Sequence, residues 1–157
     1  MSLANRNVKL EGFEELARNM DRLTQNMIER LVDGVTDITE DLASKSQKLS
    51  PKLEGPLEES AAVNIEKTNR DITGTVSYNS PYALRRHEEP YKPGIRKEYD
   101  SSGRLVGYII NGRGPITRSK PSVDGMEPGR KYLERPFKKY VKKYENHLAD
   151  KVGEVIK

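Results

Sequence analysis

Apolar residues recur every three or four positions through Phe13, Leu16, Met20, Leu23, Met27, Leu31, Val35, Ile38 and Leu42, the period of one face of an α-helix. Glu14, Arg18, Arg22, Glu29, Arg30, Asp33, Asp37, Glu40 and Asp41 occupy the other faces, and no proline interrupts the run before Pro51. The pattern predicts one amphipathic helix of about thirty residues, ~45 Å long, enough to span a whole face of a domain of this size or to protrude from it. Gly34 inside it costs about 1 kcal/mol relative to alanine and marks a bend or a close packing contact. Residues 1–8 precede this periodicity and are expected to form a disordered lead.

Beyond Ser50-Pro51, the stretch 52–56 reads as a turn punctuated by Gly55 and Pro56. A short helix or bend is expected near residues 57–62. Residues 62–67 and 71–78 then alternate apolar with polar around a Thr68-Asn69-Arg70-Asp71 turn, which predicts an antiparallel hairpin with one wet face. Residues 82–88 are expected as a short helical or irregular stretch. Residues 89–129 hold more than half of the prolines and glycines, and read as an extended loop or hairpin insertion. Its one convincing strand is 104–110, with Lys97-Glu98-Tyr99 able to pair across the turn at 100–103. Residues 111–129 are expected as a mobile surface loop, either a binding element or a tolerated insertion. The period of 3.6 returns through Leu133, Phe137, Tyr140 or Val141, Tyr144, Leu148, Val152 and Val155 or Ile156. It predicts a C-terminal helix with Pro136 in its first turn.

Composition narrows the classes that remain. A chain of 157 residues is the size of one domain. Charged residues make up 33% and the apolar class 34%, and the mean hydropathy is −0.84. Such a lean core points to a protein that completes its burial by assembling with copies of itself or with a partner. The absence of cysteine excludes disulfides, thiolate metal sites and a cysteine nucleophile. No apolar run reaches the ~20 residues of a membrane span, and no signal-peptide core opens the chain. A protein maturing in a reducing cytoplasm is therefore expected. The net charge of +4 is unevenly spread: residues 1–60 are acidic, whereas 61–129 and above all 130–157 are basic. The two helices can thus attract each other within one subunit or between neighbours, although an exposed pair contributes only ~0–1 kcal/mol.

Three groups carry candidate chemistry. His87-Glu88-Glu89 is the cluster nearest to a catalytic arrangement, yet no HExxH spacing, phosphate-binding glycine loop or GxSxG elbow accompanies it. It reads as a structural or interface cluster, with no catalytic residue, metal or cofactor expected. Arg85 and Arg86 beside His87, Glu88 and Glu89, together with Arg113 and Arg118 in the loop, form a mixed-charge set suited to a subunit or partner interface. Ordinary surface is the alternative. Lys138, Lys139, Lys142 and Lys143 recur at helical spacing among Tyr140 and Tyr144. They are either the solvated face of the helix or a phosphate-tracking surface for nucleic acid.

The order of these parts resembles a known family. Pro51, Gly55, Leu57 and Ser60, then Tyr82 and Ala83 followed by Glu88, then Pro136 and Phe137 opening the last helix, match the pattern of the small head-tail joining proteins of long-tailed bacteriophages. These are also called tail-completion or minor capsid proteins. The resemblance implies an α+β fold in which a long N-terminal helix and a C-terminal helix pack on one face of a small antiparallel sheet. It also implies a non-enzymatic virion assembly role: a ring, six copies being the expected order, built between head connector and tail tube. Such a ring is assembled in the bacterial cytoplasm and resides in the neck of the virion. A basic-helix nucleic-acid-binding protein is the alternative, and no membrane partner is expected.

Overall fold

One helix organises the chain. The computed structural model describes residues 13–52 and 57–157, and the predicted lead and the turn containing Gly55 and Pro56 lie outside them. Helix α1 runs Phe13–Leu49, and is followed by a 3₁₀ turn Glu58–Ser60, strands β1 Ala61–Lys67 and β2 Ile72–Tyr78, and a short helix α2 Ala83–Glu88. Strands β3 Ile95–Tyr99 and β4 Leu105–Ile110, the five-residue helix α3 Pro115–Ser119, and helix α4 Glu134–Ile156 complete the order. The fold is α+β, with a long N-terminal helix, a C-terminal helix and two separate antiparallel two-stranded sheets.

At 37 residues, α1 is ~55 Å long, and its two halves have different surroundings. Every residue from Glu15 to Asn26 is exposed, with Leu16, Met20 and Leu23 at 56%, 60% and 43%. From Met27 onward the same apolar stripe is half-buried or buried, because the first hairpin and α4 both pack on this half. The sheet lies along α1 through the side formed by Ile65, Ile72, Val76 and Tyr78, each half-buried, while Asn64, Glu66, Thr73 and Thr75 stay wet. Gly74 makes the closest approach, since a methyl group added there would overlap the Thr39 hydroxyl. Tyr78 at the strand end shares a hydrogen bond of 2.7 Å with Ser46.

Helix α4 packs antiparallel to α1 along a seam that is more polar than the apolar stripe foretells. Gly34 is buried against Leu148, and serves as the close packing contact rather than a breaker. Beyond it, Asp37 meets His147 at 3.0 Å and Lys151 at 3.3 Å. Next along the seam, Tyr144 donates its hydroxyl to Asp41 at 2.7 Å, and Lys45 places its ammonium 4.5 Å from the centre of the Tyr140 ring while also pairing with Asp41. These partners set the ionisation of the acids. The hydrogen bond from His147, followed by Lys151, holds the Asp37 carboxyl below the usual range. Burial opposes ionisation of Asp41, but hydrogen bonds from Lys45 and Tyr144 outweigh it and lower that carboxyl too.

The buried stripe of α4 is therefore Pro136, Tyr140 and Tyr144. Phe137 and Val141, placed on that stripe by their apolarity, are 49% and 38% exposed. A helical face is about 100° wide, and the tyrosines claim it because their hydroxyl and ring faces match the acidic and basic groups of α1. The helix also begins two residues before Pro136, which still leaves the proline in the first turn, where no backbone donor is missed.

The proline- and glycine-rich stretch carries structure of its own. Strands β3 and β4 pair in register from Ile95↔Ile110 to Tyr99↔Leu105, with a bulge beside Glu98. Asp100 closes their turn by accepting from the backbone N–H groups of Ser102 and Arg104, each at 2.9 Å. The segment expected as a loop from 111 to 129 contains α3, and it docks on the end of α1. Thr117, 2% exposed, accepts from the Lys52 N–H at 3.0 Å and donates to the Lys52 carbonyl at 3.1 Å. Lys120 donates to the carbonyls of Gln47 and Ser50 at 3.0 and 2.9 Å and reaches the Glu58 carboxylate at 3.2 Å. Gly129 donates its N–H to the Leu49 carbonyl at 2.8 Å. Carbonyls that a helix end leaves unpaired are thus satisfied from a distant part of the chain.

Three substitutions test this packing by chemical denaturation. Gly74→Ala should destabilise the protein by about 1–3 kcal/mol through overpacking, whereas Gly153→Ala in α4, where an added methyl meets nothing within 4 Å, should stabilise it by up to about 1 kcal/mol. Lys120→Met should cost about 1–3 kcal/mol by leaving its carbonyl acceptors and Glu58 without their charged donor.

Candidate functional site

The His87 region is built by α2 lying across the start of α4. Ala83 is buried and accepts the Tyr132 hydroxyl on its carbonyl at 3.0 Å, and the His87 carbonyl accepts from the Lys131 N–H at 3.0 Å. Tyr132, 1% exposed, stands edge-on between Tyr78 and His87, both ring centres being 5.1 Å away. His87 Nε2 accepts the Glu134 backbone N–H at 3.3 Å and Nδ1 lies 2.7 Å from Glu88, which corresponds to a ring with its proton on Nδ1. The imidazole thereby satisfies one of the free donors at the start of α4.

Glu88 and Glu134 are both ion-paired to Lys131, and Glu134 also to Lys138. Hydrogen bonds from Lys138 and Lys131 hold the Glu134 carboxyl low, at about 2, and those from Lys131 and His87 hold Glu88 low as well. One ligand atom each from His87, Glu88 and Glu134 lies within 4.8 Å of the others. A cation entering there would have to displace the Lys131 ammonium and strip the helix start of its acceptor.

The remaining interface candidates divide between two places. Arg85 is exposed on α2 and Arg118 donates to the Tyr108 carbonyl at 2.9 Å. Arg86, Glu89 and Arg113 instead line a single open cavity of about 550 Å³ between α2, the second hairpin and the start of α4. There Glu89 pairs with Arg86 at 3.3 Å and with Lys92 at 2.7 Å, and Arg113 pairs with Glu127 at 2.8 Å. Arg130 and Arg135 also line this cavity. Neither arginine is among the residues that the sequence pattern singles out, and the one signal for them is the density of cations immediately before a helix start. Of the other motif residues, Pro51 lines the cavity, Ser60 closes its turn on the Leu57 carbonyl at 2.7 Å, and Tyr82 is 64% exposed. Gly55 lies outside the described residues.

Lys138, Lys139, Lys142 and Lys143 are exposed on α4, but they are not equivalent. Lys138 pairs with Glu134, Lys139 donates to the Asp124 carbonyl, and Lys143 sits 5.9 Å from the Tyr140 ring centre. Tyr140 and Tyr144 face α1 and are buried, so neither offers a face on which a base can stack. No family model, curated protein or solved structure matches the chain.

The aromatic stack makes a pH prediction. Burial pushes the Tyr78 and Tyr132 phenols up to about 12, against about 10 in an unfolded chain. The folded state therefore holds these protons more tightly, and its stability should be complete below about pH 10 and decline as pH rises toward 12. Tyrosinate absorbance and near-ultraviolet circular dichroism, followed together, should show these two phenols ionising only as the stack is lost.

Proposed function

We propose that this protein is a non-enzymatic virion assembly component of a bacteriophage or prophage, a ring-forming part of the head-tail junction that meets the head connector and the tail tube. The observation that carries the reading is the pair of apolar surfaces lying outside the packed body. One is the first half of α1, with Leu16, Met20 and Leu23. The other is the second hairpin, where Ile95, Tyr99, Leu105, Val106 and Tyr108 are 43–70% exposed. Cross-strand pairing puts Ile95, Tyr99, Leu105 and Ile110 on one side of that hairpin, and a bare two-stranded ribbon is only marginally stable in water. Two different apolar surfaces on one chain are what a head-to-tail ring requires, because each copy presents one patch to each neighbour. The order of the Pro51, Ser60, Tyr82 and Pro136 motifs supports the same reading. So does the use of His87 and Glu88 in closing α4.

Nucleic-acid binding through Lys138, Lys139, Lys142 and Lys143 is the second reading. It rests on the net positive charge of residues 130–157. A DNA mobility shift that weakens steeply between low and moderate salt would favour it.

Mixed with connector and tail-tube proteins, the chain should form rings or complexes visible by sedimentation and negative-stain microscopy. Leu105→Asp, at an exposed hairpin position, should abolish them while leaving the monomer folded. A chain that stays a compact monomer with both partners overturns the proposal.

A further inference from the structure

The cavity beside the start of α4 holds a charge arrangement that neither capping nor ring formation uses. Seven cationic and four anionic side chains line it. Arg86, Lys92 and Glu89 form one paired set, Arg113 and Glu127 a second, and Lys131, Lys138 and Glu134 a third. Arg130 and Arg135 form no ion pair among the described residues. The guanidinium of Arg135 is the more telling of the two, since its Nε and Nη2 are buried without a hydrogen-bond partner. A buried donor left unpaired costs about 1–3 kcal/mol and calls for an explanation such as an absent ion.

The surroundings of Arg135 sharpen the point. Burial, followed by the nearby charges of Arg130 and Arg113, lowers its affinity for its own proton, and Glu127 only partly offsets them. Three guanidinium groups thus crowd together, with Glu127 as the carboxylate that acts on Arg135 and Glu98 elsewhere in the same lining. Gly129 lies beside Arg113 at this point: it is buried and adopts φ +153, a conformation that L side chains rarely take. The same glycine is pinned to the end of α1 through its bond to the Leu49 carbonyl, so the backbone entering Arg130 is held by the framework.

We propose that this cavity is a phosphate site, in which the guanidinium groups of Arg113, Arg130 and Arg135 receive a phosphoryl group. A carboxylate has two oxygens and one charge, enough for one guanidinium fork. A phosphate offers more oxygens and up to two charges, matching the two arginines without a counter-charge and leaving an acceptor for Arg113. The Arg113–Glu127 pair does not block it, because the Glu127 side chain is 66% exposed and such a pair holds only weakly. This site lies outside the head-tail reading, and stands or falls independently of ring formation.

Isothermal titration of the full chain with inorganic pyrophosphate, and separately with citrate as a carboxylate control, tests the assignment. Pyrophosphate should bind and citrate should bind distinctly more weakly. Arg135→Gln and Arg130→Gln should each weaken pyrophosphate about tenfold or more. Arg130 is exposed, so its variant carries the test if Arg135→Gln fails to fold. Absence of pyrophosphate binding at millimolar concentration, binding unchanged in a folded Arg130→Gln variant, or citrate binding equally well overturns the proposal. A 5′-phosphorylated oligonucleotide that displaces pyrophosphate, where its unphosphorylated counterpart does not, would identify the ligand as a nucleic-acid end. Failure of both to displace it would identify a small phosphorylated molecule.

Discussion

The structure depends on how the C-terminal end of α1 is closed. Ser46, Leu49 and Ser50 are fully buried there, so the last carbonyls of the helix cannot turn to water and need partners from elsewhere in the chain. Lys120 and Gly129 supply them, and Thr117 fastens the chain just beyond. The segment containing these residues is held against α1 because polar groups with no alternative lie on both sides. Its neighbours inherit that position: Gly129 fixes the entry to α4, and Tyr132 three residues later stacks on Tyr78 and His87.

The core that results is small and rich in tyrosine. Among its fully or nearly buried members are Ala43, Leu49, Ala83, Tyr132, Pro136, Tyr140 and Tyr144. Tyrosine contributes a large apolar ring and a hydroxyl that can meet a polar partner, so a chain poor in aliphatic residues can still join two charged helices. Tyr144 on Asp41, Tyr78 on Ser46 and Tyr132 on Ala83 are three cases of that solution. Leu16, Met20 and Leu23 on the free half of α1 and Ile95, Leu105 and Val106 on the second hairpin are instead exposed.

Much of the architecture was legible in the residue pattern. The long first helix, the hairpin around Thr68 to Asp71 and the basic last helix each follow from a periodicity that local physics enforces. The pairing of Lys97-Glu98-Tyr99 with the 104–110 strand follows from the turn chemistry of Asp100 and Gly103. The candidate site was legible only in fragments. Arg86, Glu89 and Arg113 were singled out, but nothing local says that they share a cavity with Arg130 and Arg135, which come from a different stretch of chain.

By itself the sequence determined the two long helices and the strands of both hairpins, that the apolar supply is lean, and that charge is split between the two helices, because all three depend on neighbours within a few residues. Only the tertiary structure decided which face of α4 is buried, that residues 111–129 close the end of α1, that His87 caps α4, and that the arginines converge. The first three outcomes satisfy polar groups whose partners lie tens of residues away, the fourth gathers like charges from equally distant stretches, and neither kind of contact leaves a periodic trace along the chain.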